Sequence, residues 1–166
     1  MGNITQCTCD WPGYTGGNCE EHGPWRNDMY DHYNGKKISM DISTLVKIAG
    51  TDAEAAGWRS DRPVRHNYAT PEVYHAALND WYGNKLMLMV GEVNEGHDEL
   101  RNGKGVREVY YNPNKNKPEG LPTELADTVI RIADFCESEG IDLEAAIQLK
   151  LAYNRSRGFK HGGKQF

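Results

Sequence analysis

Four carboxylates in two short motifs are the residues of this chain best placed to do chemistry. Glu92 and Glu95 stand in "GEVNEGHDEL", and Glu124 and Asp127 stand in "PTELADTV". Each pair is spaced i, i+3, so on a helix its side chains are neighbours with Cβ atoms about 5–6 Å apart. Were the two helices to pack antiparallel, all four would converge. At about 6 Å and an effective dielectric near 20, each like-charged pair would then cost roughly 3 kcal/mol. Only a cation makes such a cluster tolerable, and Mg²⁺ is the natural one, because it shares oxygen ligands among carboxylates, waters and phosphates.

Periodicity offers a plainer reading of the first motif. Glu92, Glu95 and Glu99 recur at i, i+3 and i+7, opposite a stripe of Leu86, Val90, Val93, His97 and Leu100. By itself that pattern is the wet face of an amphipathic helix, with His97 a packed core histidine rather than a base. The second motif is harder to dismiss. Glu124 and Asp127 share a narrow polar strip with Arg131 and Asp134, on a helix whose Leu125, Val129, Ile130, Ile132, Ala133 and Cys136 cover a wide apolar arc. Charges on such a helix are few unless they have partners. The breadth of the arc implies burial against more than one neighbour, within a bundle or across a subunit interface.

The elements that position these residues follow from caps and breakers. Asp41 caps a first helix with Ile42, Leu45, Val46 and Ala49 on its apolar face, closing near Gly57. Thr70 with Pro71 opens a second, which reaches Leu100 either unbroken or interrupted at Gly83. Residues 101–121 read as a long loop with a short strand at "REVYY". Pro122 starts the next helix, stopped by Gly140, and Asp142 caps the last, ending near Gly158. The fold class is all-α, a bundle of four to five helices over residues 41–166, preceded by an irregular extension over 1–40.

Composition sets outer limits. The 166 residues are 38% hydrophobic and 26% charged, which suits one globular domain rather than a disordered chain. The longest apolar run, "LMLMV", is far short of the ~20 residues that span a bilayer, and no basic-then-apolar leader opens the chain, so a cytoplasmic location is expected. Net charge is −5, yet residues 150–166 hold Lys150, Arg155, Arg157, Lys160 and Lys164 without an acid. An acidic body with a basic tail suits a small phosphate-bearing ligand better than duplex DNA, which rewards a continuous positive face. Trp58, Trp81, Tyr82, Tyr110 and Tyr111 could stack on a base, though packing is the simpler role for each. Cys7, Cys9, Cys19 and His22 form a C-x-C, C-x-x-H set that could bind a structural Zn²⁺, against the plainer alternative of reduced thiols; Cys136 reads as a small core residue.

"EVNE", followed twenty-eight residues later by "ELAD", resembles the E-x-x-E, E-x-x-D signature of the MazG-like all-α nucleoside triphosphate pyrophosphohydrolases. "GIDLEAAIQLKLAYNRSR" and the terminal "KHGGKQF" are similar to the small, phage-type members, and the likeness covers about Asp41 to Phe166. The resemblance implies an enzyme, dimeric or larger, that hydrolyses a (d)NTP to (d)NMP and pyrophosphate in nucleotide-pool control. It implies Glu92, Glu95, Glu124 and Asp127 as ligands of Mg²⁺, for which Mn²⁺ can substitute, with Glu99 as an outer carboxylate around the ion. Lys150, Asn154 and Arg157 match phosphate and sugar contacts, and Lys160 and Lys164 fit phosphate neutralisation. Gly91 stands where many members have another acid, and Gly96 interrupts the acidic helix, where Ala would favour it by up to about 1 kcal/mol. Two other classes stay open: a catalytically silent nucleotide-binding or assembly protein on the same bundle, and a zinc-stabilised recognition element in the extension.

Overall fold

The computed structural model describes residues 40–112, 114 and 117–157, and the helical unit begins at Met40. Its elements are α1 (Ile42–Ala55), a 3-10 turn (Arg65–Asn67), α2 (Pro71–Arg101), β1 (Tyr110–Asn112), β2 (Lys117–Glu119), α3 (Leu121–Ser138) and α4 (Leu143–Ser156). This is an all-α bundle of four helices with a two-stranded antiparallel hairpin between α2 and α3. No helix among the described residues is long and apolar enough to cross a membrane. The caps read from sequence hold: Asp41 accepts from the Thr44 amide at 2.7 Å, Thr70 from Val73 at 3.4 Å and Asp142 from Ala145 at 2.9 Å. α2 runs unbroken for 31 residues, about 46 Å at 1.5 Å per residue. Gly83 does not end it, because a single exposed glycine lowers helix stability by only about 1 kcal/mol. The short strand at the end of "REVYY" is present as β1, whereas the 3-10 turn carries no periodic signal and went unread.

α3 is the centre, packed against both α1 and α2, while α4 lies on α1. Side-chain pairs show that α2 and α3 run antiparallel: Tyr82 bonds Glu139, Trp81 stacks on Phe135, Glu92 pairs with Arg131, and Gly96 faces Leu121. The buried apolar residues are Ala49, Leu78, Trp81, Ala133 and Cys136, and they gather at the α1 side and the N-terminal half of α2. Trp81 and Phe135 stack at 6.4 Å between ring centroids, Tyr82 meets Phe135 edge-on at 5.7 Å, and the Trp81 indole N–H donates to Asp61 at 3.0 Å. The chain after α1 is clamped to α3 by Arg59, which donates to Asp134 at 2.7 Å and pairs with Glu137 at 2.7 Å, and by Arg62, which grips both Glu139 oxygens at 3.0 Å.

The facing of the acidic motif is the reverse of the amphipathic reading. Leu86, Val90, Val93, His97 and Leu100 are all exposed, whereas Glu92 and Gly96 are buried. His97 is therefore a surface histidine and not part of the core. The inward stripe of α2 is Leu78, Trp81, Lys85, Met89, Glu92, Gly96 and Glu99, at spacings of three and four. Its C-terminal half puts carboxylates and a glycine where a soluble helix ordinarily buries apolar side chains, so hydropathy alone picks the opposite face.

Trp81 is the largest of the buried apolar side chains among the described residues, so Trp81→Ala is expected to cost about 3–5 kcal/mol. A urea denaturation midpoint within error of wild type would show that the helices are held by other contacts.

Candidate metal centre

The antiparallel seam brings three of the four carboxylates together. One oxygen each of Glu92, Glu95 and Glu124 lies within 4.8 Å of the others. These three residues would be the ones to hold a divalent cation, which takes carboxylate oxygens of this kind. Glu92 and Glu124 are buried and Glu95 is exposed, so the cluster has a closed floor and an open mouth. Asp127 is not among those three; it lies one turn further along α3, half-buried and close enough to Glu92 to feel its charge.

Gly96 explains how α3 comes so near. A Cβ there would stand 2.9 Å from Leu121 Cδ1 and 3.4 Å from Glu124 Cβ, so a side chain would press on the residue that carries the cluster's deepest carboxylate. The interruption noted in the sequence is the space into which the first turn of α3 packs, Leu121 most tightly and Glu124 beside it. Gly120 does a second job at the same corner: with φ at +121°, and a Cβ that would collide with the Glu108 carbonyl oxygen, it lets the hairpin turn directly into α3.

Glu124 is the electrostatic focus. Only 2% of it is exposed, and its Oε2 is the one buried side-chain polar atom among the described residues without a hydrogen-bond partner. Such an orphan ordinarily costs about 1–3 kcal/mol, more for a charge. Burial pushes its carboxyl up to about 7; the Lys117 ammonium pulls it down, while Glu95, Asp127 and Glu92 push it further up. Asp127 is raised too, by burial first and then by Glu92. A divalent cation would supply what this donor set lacks: a partner for Oε2 and charge against the crowding. The residues present fit one.

One cation is bonded into the cluster and the charge of a second acts on it from the hairpin, roles that sequence spacing does not mark clearly. Arg131 Nε donates to Glu92 Oε1 at 2.5 Å, and its guanidinium lies 5.6 Å from the centroid of the exposed Trp58 ring. Its position on the polar strip, four residues after Asp127, was the available signal. Lys117 is bonded to Glu119 at 3.1 Å, and nothing periodic in "NKNKPEG" marks it. Glu99, the outer carboxylate, is engaged by the hairpin instead: the Tyr110 hydroxyl donates to its two oxygens at 3.0 and 3.1 Å. The basic set of α4 is not brought to the cluster within one chain. Lys150 and Arg157 flank the Tyr153 ring at 5.2 and 5.6 Å, and Asn154 is exposed beside them. Lys160, Lys164, Cys7, Cys9, Cys19 and His22 lie outside the described residues.

Comparison with known proteins yields no relation: no family model matches the chain, and neither a curated protein nor a solved structure matches it.

The raised Glu124 carboxyl sets a pH dependence. Its folded value of about 7 exceeds its ordinary 4.5, so the folded state holds the proton more tightly. Its contribution is complete below pH 4.5 and is lost as pH rises through 7, by about 3 kcal/mol at roughly 1.4 kcal/mol per unit. In chelator, wild type should therefore weaken between about pH 4.5 and 7 and level off above that, and Glu124→Gln should flatten that slope and be the more stable protein at about pH 8. Parallel pH profiles in urea denaturation would contradict the assignment.

Proposed function

We propose that this chain is a Mg²⁺-dependent nucleoside triphosphate pyrophosphohydrolase, converting a (d)NTP to (d)NMP and pyrophosphate in control of the nucleotide pool. The observation that carries it is the convergence of Glu92, Glu95 and Glu124 around a buried carboxylate oxygen with no partner. These are three of the four positions of the E-x-x-E, E-x-x-D signature that the chain resembles, and they come from antiparallel helices.

When bound, Mg²⁺ would neutralise phosphate oxygens and acidify a water. The side chains do the rest. Glu92 and Glu124 form the floor of the site, with Glu92 fixed by Arg131, and Asp127 adds charge beside them. Glu95, exposed at the mouth, is the carboxylate a solvent water can reach, and it is suited to accept that water's proton. The water's oxygen bonds to the α-phosphorus as the bond to the bridging oxygen breaks, and pyrophosphate leaves with that oxygen. No side-chain nucleophile takes part. Trp58, exposed beside Arg131, offers a flat face to a base.

The active form in this proposal is a homo-oligomer, a dimer or tetramer. Leu86, Val90 and Val93 of α2, Val129 and Ile130 of α3 and Leu149 of α4 are between 45% and 74% exposed, while only five apolar residues are buried among those described. Apolar faces on this scale are uncommon on monomers and suit the ~800 Å² per partner of a stable interface. A second copy would also provide the route by which the basic residues of α4 reach a triphosphate.

Pyrophosphate should be released from at least one (d)NTP with Mg²⁺ or Mn²⁺, and Glu124→Gln should lower the rate by about a hundredfold or more. Silence across a broad nucleotide panel rejects the enzyme; calorimetric nucleotide binding without turnover would leave the silent binding protein. Sedimentation should give a dimer or larger for wild type and a smaller species for Val129→Glu/Ile130→Glu, and a wild-type monomer would reject the oligomer.

A further inference from the structure

Arg131 is bonded into the carboxylate cluster and yet keeps most of its donors. Its Nε donates to Glu92 Oε1 at 2.5 Å, and this is the one hydrogen bond the side chain makes among the described residues. A guanidinium carries four more N–H groups on its two Nη atoms, in a planar fork. Neither Nη is sealed from water, Glu124 Oε2 being the one buried and unpartnered side-chain atom among the described residues. The other arginines packed on α3 are spent. Arg59 gives Nε and both Nη atoms to Asp134 and Glu137, and Arg62 gives Nε and Nη2 to the two oxygens of Glu139.

The open fork is also held in place. The Trp58 ring backs it, with 5.6 Å between the guanidinium carbon and the ring centroid. Trp58 is fixed in turn: its carbonyl oxygen accepts from Lys85 Nζ of α2 at 2.8 Å, and its neighbour Arg59 is clamped to Asp134 of α3. Trp58, Lys85, Met89 and Arg131 line one cleft on the α2–α3 seam, and Glu92 follows Met89 by a single helical turn. A guanidinium tethered at Nε and backed by a ring loses little freedom when its remaining edge takes an anion.

We propose that Arg131 is a phosphate-binding residue of this site, its Nη edge taking non-bridging oxygens of a polyphosphate whose cation is held by Glu92, Glu95 and Glu124. This deepens the pyrophosphohydrolase reading and rests on it. Glu92 links the two functions, because the same carboxylate is bonded to the guanidinium and belongs to the cation cluster. A polyphosphate drawn to that cation arrives beside the fork. Shape then matters as well as charge: two parallel N–H groups match a phosphate in a way that an ammonium does not. The single chain thereby has a phosphate contact of its own, independent of the basic residues on α4.

Calorimetry at pH 8 on wild type, Arg131→Lys and Arg131→Gln, first with Mn²⁺ alone and then with tripolyphosphate at saturating Mn²⁺, provides the test. Lysine can still neutralise Glu92, so Arg131→Lys should melt with wild type in chelator and bind Mn²⁺ within about threefold of it. It should nonetheless bind tripolyphosphate about tenfold more weakly, and Arg131→Gln, with neither charge nor fork, about a hundredfold more weakly. Tripolyphosphate binding to Arg131→Lys equal to that of wild type would overturn the assignment and leave Arg131 a plain counter-ion of Glu92, with the metal site intact. Mn²⁺ uptake by wild type without tripolyphosphate binding would overturn it as well. Absence of Mn²⁺ uptake by wild type would remove the metal site, and the phosphate contact with it.

Discussion

The buried carboxylate of Glu124 is the constraint around which this domain is arranged. A carboxylate kept almost wholly from water, with one oxygen unpartnered and three acidic neighbours, is a standing cost to the fold. Proteins retain such costs at sites that bind or react. What surrounds Glu124 is consistent with that view. Gly96 leaves room beside it, Gly120 turns the hairpin into the start of α3 just before it, and Arg131 is tied to Glu92 at its side.

Legibility from sequence divided along a physical line. Helix ends were readable because they depend on local chemistry: Asp41, Thr70 and Asp142 cap where a short polar side chain can reach an amide three residues on. The i, i+3 pairing of the carboxylates was readable for the same reason, and the convergence of Glu92, Glu95 and Glu124 follows once α2 and α3 are antiparallel. Which face of α2 points inward was not. Hydropathy assigns the inside to the stripe from Leu86 to Leu100, on the premise that cores are apolar, and here the seam carries Glu92, Gly96 and Glu99. The exposed apolar stripe, His97 included, is left as outer surface. Arg131 and Lys117 are tertiary partners, defined by what lies across a seam or a hairpin, and sequence spacing signals the first weakly and the second not at all.

The misplaced stripe also bears on how the basic residues are to be understood. Lys150, Asn154 and Arg157 are correctly spaced for one face of a helix, yet α4 lies on α1, away from the α2–α3 seam. A helix with no buried residue, bearing Leu149 at 74% exposure, has little to hold it in a lone chain. In the proposed oligomer, the apolar surface left on α2, α3 and α4 and the position of the basic set on α4 would be answered together. Association of copies would address both, burying the apolar faces and giving α4 a neighbour other than α1.

Within α2 the two halves have opposite duties, and the first makes the second possible. From Leu78 to Met89 the inward stripe is apolar or aromatic, and Trp81, Tyr82 and Phe135 lock α2 to α3 with ion pairs from Arg59 and Arg62 on the flank. From Glu92 to Glu99 it is polar, and mutual repulsion works to spread the helices. One continuous helix of 31 residues couples the two, so the aromatic half sets the separation at which the acidic half must sit. A break at Gly83 would have released that coupling and let the carboxylates drift apart. The unbroken helix is therefore a positioning element: it carries the rigidity of a packed core to a cluster of like charges that would otherwise spread.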